Sequence, residues 1–287
     1  MMMKKLIIST FLVTGLMSGV MAEERVITTS AYITQVVEAL GKERLLVGAD
    51  TTSRYNDELK KLPDVGYRIA LSTEGMLSLK PSLILWSSDS GPKNVVEQVN
   101  KSGIQTYVLA KPSNLDELKS LVTQVGEIFN EPTKSEALKQ SLEKKHGLLK
   151  DDMSKRGARK TLFIMEEMGG GGSKSFAGGD TSATALIDLL GLKNPFASQF
   201  NAYKAVNLET QIQQDAEIVL IGTRKEFAEK NMPVIRKDVS SIGWPKPVQP
   251  KCVFEVDISH VLVYGVHLYD DALTLSRMID ECLEEAK

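Results

Sequence analysis

The residue with the clearest chemical reach is Tyr67, in the stretch PDVGYRIALSTEGMLSLKPSLILW at residues 63–86. A tyrosine phenolate can hold ferric haem iron at the axial position. A neighbouring positive charge favours the ionised form, and Arg68 follows directly. The plainer reading of a loop tyrosine is a half-buried packing residue. Glu74 lies seven residues on, where Ser72-Thr73-Glu74 opens a helix: Ser72 can cap it and Glu74 suits its positive end. The same unit recurs. Residues 209–220, ETQIQQDAEIVL, match residues 74–85, EGMLSLKPSLIL, without a gap, and Glu209 falls on Glu74. Glu74 and Glu209 are thus either two helix-start stabilisers or two matched anionic pegs for a basic partner with two-fold symmetry.

Other chemistry-bearing residues are sparse. The three histidines, His146, His260 and His267, are scattered, and no His–carboxylate cluster of the kind a zinc or manganese carrier uses stands out. His146 reads as a solvated face residue of a long helix. The glycines at 169–172 and 178–179 do not make a phosphate loop: Lys174-Ser175 follows Ser173, and Met168 stands where the earlier glycine is needed. They suit close backbone approach to a flat ligand, or a flexible turn. No Gly-x-Ser-x-Gly serine and no paired catalytic carboxylates stand out. Cys252 and Cys282 are either a disulfide or two buried thiols.

The elements that must position these residues alternate between strand and helix. Strands are expected at 25–28, 45–48, 83–86 and 105–109, and helices at 32–40, 94–102 and 115–128. A short helix starting at Ser72 ends by Pro81. This alternation predicts a parallel sheet covered by helices. Residues 132–155 then form one charged amphipathic run whose single glycine is Gly147, without the Gly/Ser/Pro content of a flexible linker. It reads as a rigid helical connector of about 33 Å. A second strand–helix series follows, with strands at 160–165, 217–222 and 252–256 and helices at 183–190 and 270–283. The expected fold is α/β: two Rossmann-like lobes, 23–131 and 156–287, joined by a single long backbone helix at 132–155, with a cleft between them.

The 287 residues carry a net charge of −2 and 25% charged residues, so the chain has no basic footprint for nucleic acid. Lys4 and Lys5 followed by an apolar run at 6–20 and Val20-Met21-Ala22 predict a signal peptide at 1–22, cleaved after Ala22. The run is shorter than the ~20 residues a spanning helix needs. The mature chain is expected to be exported, and not itself membrane-spanning.

Gly66-Tyr67, Leu71-Ser72-Thr73-Glu74-Gly75, Leu79-Lys80-Pro81 and Ala177-Gly178-Gly179-Asp180-Thr181 resemble motifs of the haem-carrying periplasmic binding proteins that serve ABC importers. That group is related to the vitamin B12 and ferric-siderophore binders, and the resemblance covers nearly all of the mature chain. It implies a carrier rather than an enzyme, a periplasmic monomer, and haem b (ferric, as cargo) held between lobes that hinge little. It implies Tyr67 as the axial ligand. Arg68, Arg224, Gly170 and Gly171 would touch the pocket or the propionates, and Glu74 with Glu209 would dock on the permease dimer and its ATPase. The family usually places arginine two residues after the tyrosine, where this chain has Ile69. Some members add a histidine from the second lobe, where this chain has Met165 and Met168; with His267, these are the candidates for a second ligand or the pocket wall. Five-coordinate haem on Tyr67 alone is the expected state. The alternatives are a corrinoid or ferric-siderophore carrier and, in another class, an exported enzyme.

Overall fold

The computed structural model describes residues 24–166, 174–223 and 234–286. The N-terminal lobe runs β1 (Val26–Thr28), α1 (Ala31–Ala39), β2 (Leu46–Ala49), α2 (Asp57–Lys60), β3 (Gly66–Tyr67), β4 (Ala70–Leu71), α3 (Thr73–Ser78), β5 (Leu83–Ser87), α4 (Lys93–Asn100), β6 (Gln105–Leu109) and α5 (Leu115–Ile128). Then comes α6 (Pro132–Arg156). The second lobe runs β7 (Thr161–Glu166), β8 (Lys174–Ala177), α7 (Ser182–Leu189), β9 (Tyr203–Ala205), α8 (Leu208–Gln213), β10 (Ile218–Thr223), β11 (Val234–Lys237), β12 (Cys252–Asp257), α9 (Ile258–Val261) and α10 (Leu268–Glu285).

In the first lobe the sheet order is β2-β1-β5-β6, with every pairing parallel. In the second, β12-β10-β7 is parallel, with β11 antiparallel on one flank and β8-β9 antiparallel on the other. The inner strands β1, β5 and β10 are buried along nearly their whole length because both faces are covered, whereas the edge strand β6 leaves Tyr107 and Val108 exposed. Along β5, Leu83 and Leu85 enter one core while Ile84 and Trp86 enter another. Along β10, Ile218 and Leu220 face one way and Val219 and Ile221 the other.

The connector is a single helix of 25 residues, about 37 Å long at 1.5 Å per residue. Pro132 opens it, where a missing N–H costs nothing. Leu142 and Leu149 are buried, and one apolar core runs continuously from the first lobe past them into the second. On one side Ser135 Oγ donates to Val122 O at 3.0 Å, and Lys119 pairs with Glu143. On the other, Lys145 pairs with Asp270 at 2.7 Å. Arg156, its side chain 2% exposed, is bidentate on Asp280 and also donates to Ser276 and Leu190. Such a buried, fully partnered fork fixes the far end of the helix to α10. His146 is not the solvated residue the charge pattern suggested. Its ring packs edge-on against Tyr269 of α10 at 6.0 Å, and its Nδ1 is buried with no partner among the described residues.

The lobes also touch directly. The backbone N–H of His267 donates to Gln35 Oε1 of α1 at 3.3 Å. A Cβ at Gly265 would lie 2.0 Å from that same oxygen, so a side chain there would push Gln35 off this contact. Cys252 and Cys282 form a disulfide that ties β12 to α10 across a sequence separation of 30.

Candidate functional site

Tyr67 does not sit in an irregular loop. It lies in a two-strand hairpin, β3 against β4, where Gly66 pairs with Leu71 and Tyr67 with Ala70. Gly66 has φ of 103°, and a Cβ there would lie 2.7 Å from Ala70 O, so the glycine is needed for the hairpin to close. Asp64 Oδ1 accepts from Gly66 N at 2.8 Å, and Val65 and Leu71 anchor the base in the core shared with Met76 and Trp86. The tip stays open: Tyr67 is 40% and Ile69 54% exposed.

The phenol is held by charge. Arg68 Nη1 donates to the Tyr67 oxygen at 2.5 Å, and Arg68 Nε donates to Asp89 Oδ2 at 2.8 Å. Ser87 Oγ donates to Asp89 Oδ1 and accepts from the Tyr32 hydroxyl at 2.8 Å. Partial burial disfavours the Asp89 carboxylate, but hydrogen bonds from Arg68 and Ser87 outweigh it and hold its pKa below the usual range. Partial burial likewise pulls Arg68 down, and the bond and charge of Asp89 turn the net shift upward. Asp50, at the end of β2, is buried; desolvation raises it although Ser53 and Thr52 donate to it.

Asp89 follows β5 and Lys111 follows β6, so this cluster stands at the carboxyl end of the first sheet. A cavity of about 390 Å³ opens at the same end, between the lobes. Lys111, Pro112 and Ser113 line one wall; Thr181 and Ser182 at the start of α7, with Tyr264, line the other. Crevices outside the carboxyl ends of parallel strands are where open α/β sheets bind ligands.

The other predicted residues fall in several places. Glu74 and Glu209 are exposed, each in the first turn of a capped helix, α3 and α8. Ser72 caps one and Asn207 the other. Met165, near the end of β7, is partly buried and packs on the main core. His267 precedes α10, its ring edge-on to Tyr55 at 5.5 Å in the seam between lobes. His260 lies in α9. Met168, Gly170, Gly171, Arg224 and the leader at 1–22 lie outside the described residues. Asp89 leaves no mark in the sequence: it sits in a plain SSDSG turn, and only the hydrogen bonding of the hairpin to that turn brings it to Arg68.

Comparison with known proteins places this arrangement. The sequence profile described as periplasmic binding protein matches residues 26–238. The chain belongs to that family, whose members are non-enzymatic solute carriers for ABC importers. Among solved structures, a periplasmic haem-binding protein from Pseudomonas aeruginosa is 25% identical, with a TM-score of 0.73 over 89% of this chain and 92% of its own. The periplasmic haem-binding protein BhuT, solved with two haems, is 26% identical, with a TM-score of 0.74 over 91% and 99%. A vitamin B12-binding protein from Yersinia pestis is 23% identical over 238 residues, 82% of this chain and 80% of its own. Among the described residues no helix is long and apolar enough to cross a membrane.

Proposed function

We propose that this protein captures ferric haem in the periplasm, with Tyr67 as the single axial ligand, and delivers it to an ABC permease. The observation that carries the reading is an exposed phenol on a braced hairpin with a guanidinium on its oxygen. Iron coordination uses the phenol oxygen, and the Arg68 guanidinium lies on that oxygen. The haem binders at 25% and 26% identity support the choice of cargo. Met165 packs on the core and His267 on Tyr55, which favours a five-coordinate iron. Residues 1–22 act as the export leader. Glu74 and Glu209 dock on the two halves of a two-fold permease, and the mature chain works as a monomer.

A corrinoid is the second reading, favoured by the vitamin B12-binding relative. Absorption titration of the purified mature chain with hemin and, separately, with cyanocobalamin decides between them. The expected result is near one-to-one hemin binding with a phenolate-to-iron charge-transfer band. Tyr67→Phe abolishes the band and weakens binding at least about tenfold, a loss of ~1.4 kcal/mol. An unchanged band in Tyr67→Phe rejects the ligand assignment, and tight cobalamin binding without hemin binding rejects the cargo.

A further inference from the structure

Tyr67 and Arg68 are neighbours in the chain, but adjacency does not aim a guanidinium. Arg68 stands in the turn just past the end of β3, where the strand no longer sets the direction of a side chain. For Arg68 to reach back to the phenol of residue 67, something must hold its side chain there. The turn after β5 does this. Gly91 N donates to Arg68 O at 2.8 Å and Leu71 N to Gly91 O at 3.0 Å, so turn and hairpin are one unit. Asp89, in that turn, takes Arg68 Nε on one carboxylate oxygen and the Ser87 hydroxyl on the other. Ser87 is itself fixed, because its N–H donates to Thr29 Oγ1 at 2.7 Å and its hydroxyl accepts from Tyr32, which is anchored on Leu109 O at 2.9 Å. The chain of contacts therefore runs from the buried ends of α1 and β5 out to the exposed phenol.

We infer that Asp89 is a positioning residue for the haem-iron ligand: it clamps Arg68 on the Tyr67 oxygen and so presents that oxygen, with a compensating charge beside it, to the iron. This rests on the haem reading above. Coordination forms an Fe–O bond and releases the phenol proton to solvent, and Arg68 balances the charge left on the oxygen only while Asp89 holds it there. The charged groups around the clamp are few. Arg68 belongs to the hairpin, and Asp89 to the turn. Lys111, after β6, adds a favourable field at Asp89, and Asp50, after β2, interacts with Arg68. Tyr32 of α1, raised by burial, stays neutral. Asp89 is the one of these acids that hydrogen-bonds the guanidinium among the described residues.

Position and charge are separable here. Asn at 89 keeps an oxygen for Arg68 Nε and an amide that Ser87 Oγ can accept, but carries no charge. Ala keeps neither. Two readouts are used on Asp89→Asn, Asp89→Ala, Arg68→Gln and Tyr67→Phe. The first needs no haem: the Arg68 Nε–H signal of ¹⁵N-labelled ligand-free protein, identified by its absence from Arg68→Gln. The clamp predicts that signal in the wild type and Asp89→Asn, and its loss to solvent exchange in Asp89→Ala. The second, at fixed pH, is the energy of the phenolate-to-iron band of the hemin complex together with its hemin Kd. Asp89→Ala should shift the band and weaken binding about tenfold, as should Arg68→Gln, and the double variant should do no more. Asp89→Asn should keep the wild-type band and affinity, since Arg68 keeps its place. An Arg68 signal unchanged in Asp89→Ala overturns the clamp, as do a band and affinity that change alike in Asn and Ala or add up in the double variant. A band that survives Tyr67→Phe overturns the haem-ligand reading instead, and the Arg68 signal still decides whether the clamp exists.

Discussion

In the first lobe Ser72 caps α3, Glu74 lies in its first turn, Lys80 takes φ of 49° and β5 begins at Leu83. In the second lobe, at the same spacing, Asn207 caps α8, Glu209 lies in its first turn, Asp215 takes φ of 52° and β10 begins at Ile218. The gapless match therefore extends to a left-handed residue, a conformation most side chains avoid. What precedes each copy differs. The position equivalent to Tyr67 is Ala202, and the strand there, β9, joins the main sheet on β8 instead of folding into a free hairpin. A duplicated scaffold thus presents matched acidic helix starts twice. The phenol, its arginine and its aspartate are built on one copy alone. Matched features suit a partner with two-fold symmetry; the Tyr67 cluster shows no such repetition among the described residues.

The largest break in this likeness is covalent. The disulfide lies in the second lobe, and by chain entropy a closed loop of 30 residues is worth about 3–4 kcal/mol. Cys282→Ser should lower the denaturation midpoint accordingly. Hydrogen exchange should speed up in β12 and α10 and stay as in the wild type in β1 and β5. Equal loss in both lobes would mean that they open as one unit.

Equivalence of the two helix starts predicts equal costs. Ser72→Ala and Asn207→Ala should each destabilise by about 1 kcal/mol, the usual loss of an N-cap. Denaturant titration checks this, and a cost confined to one variant would end the equivalence.

A smaller effect is expected for Glu74→Ala and Glu209→Ala. Both side chains are exposed, and pairs at such positions are worth ~0.2–1 kcal/mol each. Each single variant should modestly lower haem-stimulated ATPase of the reconstituted importer, and the double variant should lower it more, with hemin binding unchanged. Full stimulation by the double variant returns both residues to the role of helix stabilisers.

The smallest effect concerns the helix that both lobes share. Burial, helped by the nearby Lys150 charge, holds His146 below the ordinary histidine value. On acidification the unfolded chain therefore takes the proton first. The stability contributed by neutral His146 is present above about pH 6.5 and is lost as pH falls below it. Thermal melts at pH 7.5 and 5.5 should show a smaller drop in His146→Phe, which keeps an edge for Tyr269, than in the wild type. An identical drop would place His146 outside the acid response.

Much of this architecture is legible in the chain. Residues 105–109 and 115–128 were expected as strand and helix and are β6 and α5 with the same bounds; the connector differs by one residue, Arg156. These features rest on apolar period, caps and helix stops, which act between residues a few positions apart, so one sequence suffices to read them. The adjacency of Tyr67 and Arg68 was equally visible. What only the tertiary structure decided depends on residues far apart in the chain. Asp89 reaches Arg68 because β5 lies beside the hairpin. Gln35 meets Gly265 and His267 because α1 faces the segment after β12. Cys252 and Cys282 join because α10 lies over that strand, and His146 is half-buried because α10 brings Tyr269 to the connector. Sheet order and lobe docking set each of these contacts, and neither leaves a periodic mark on the residues it brings together.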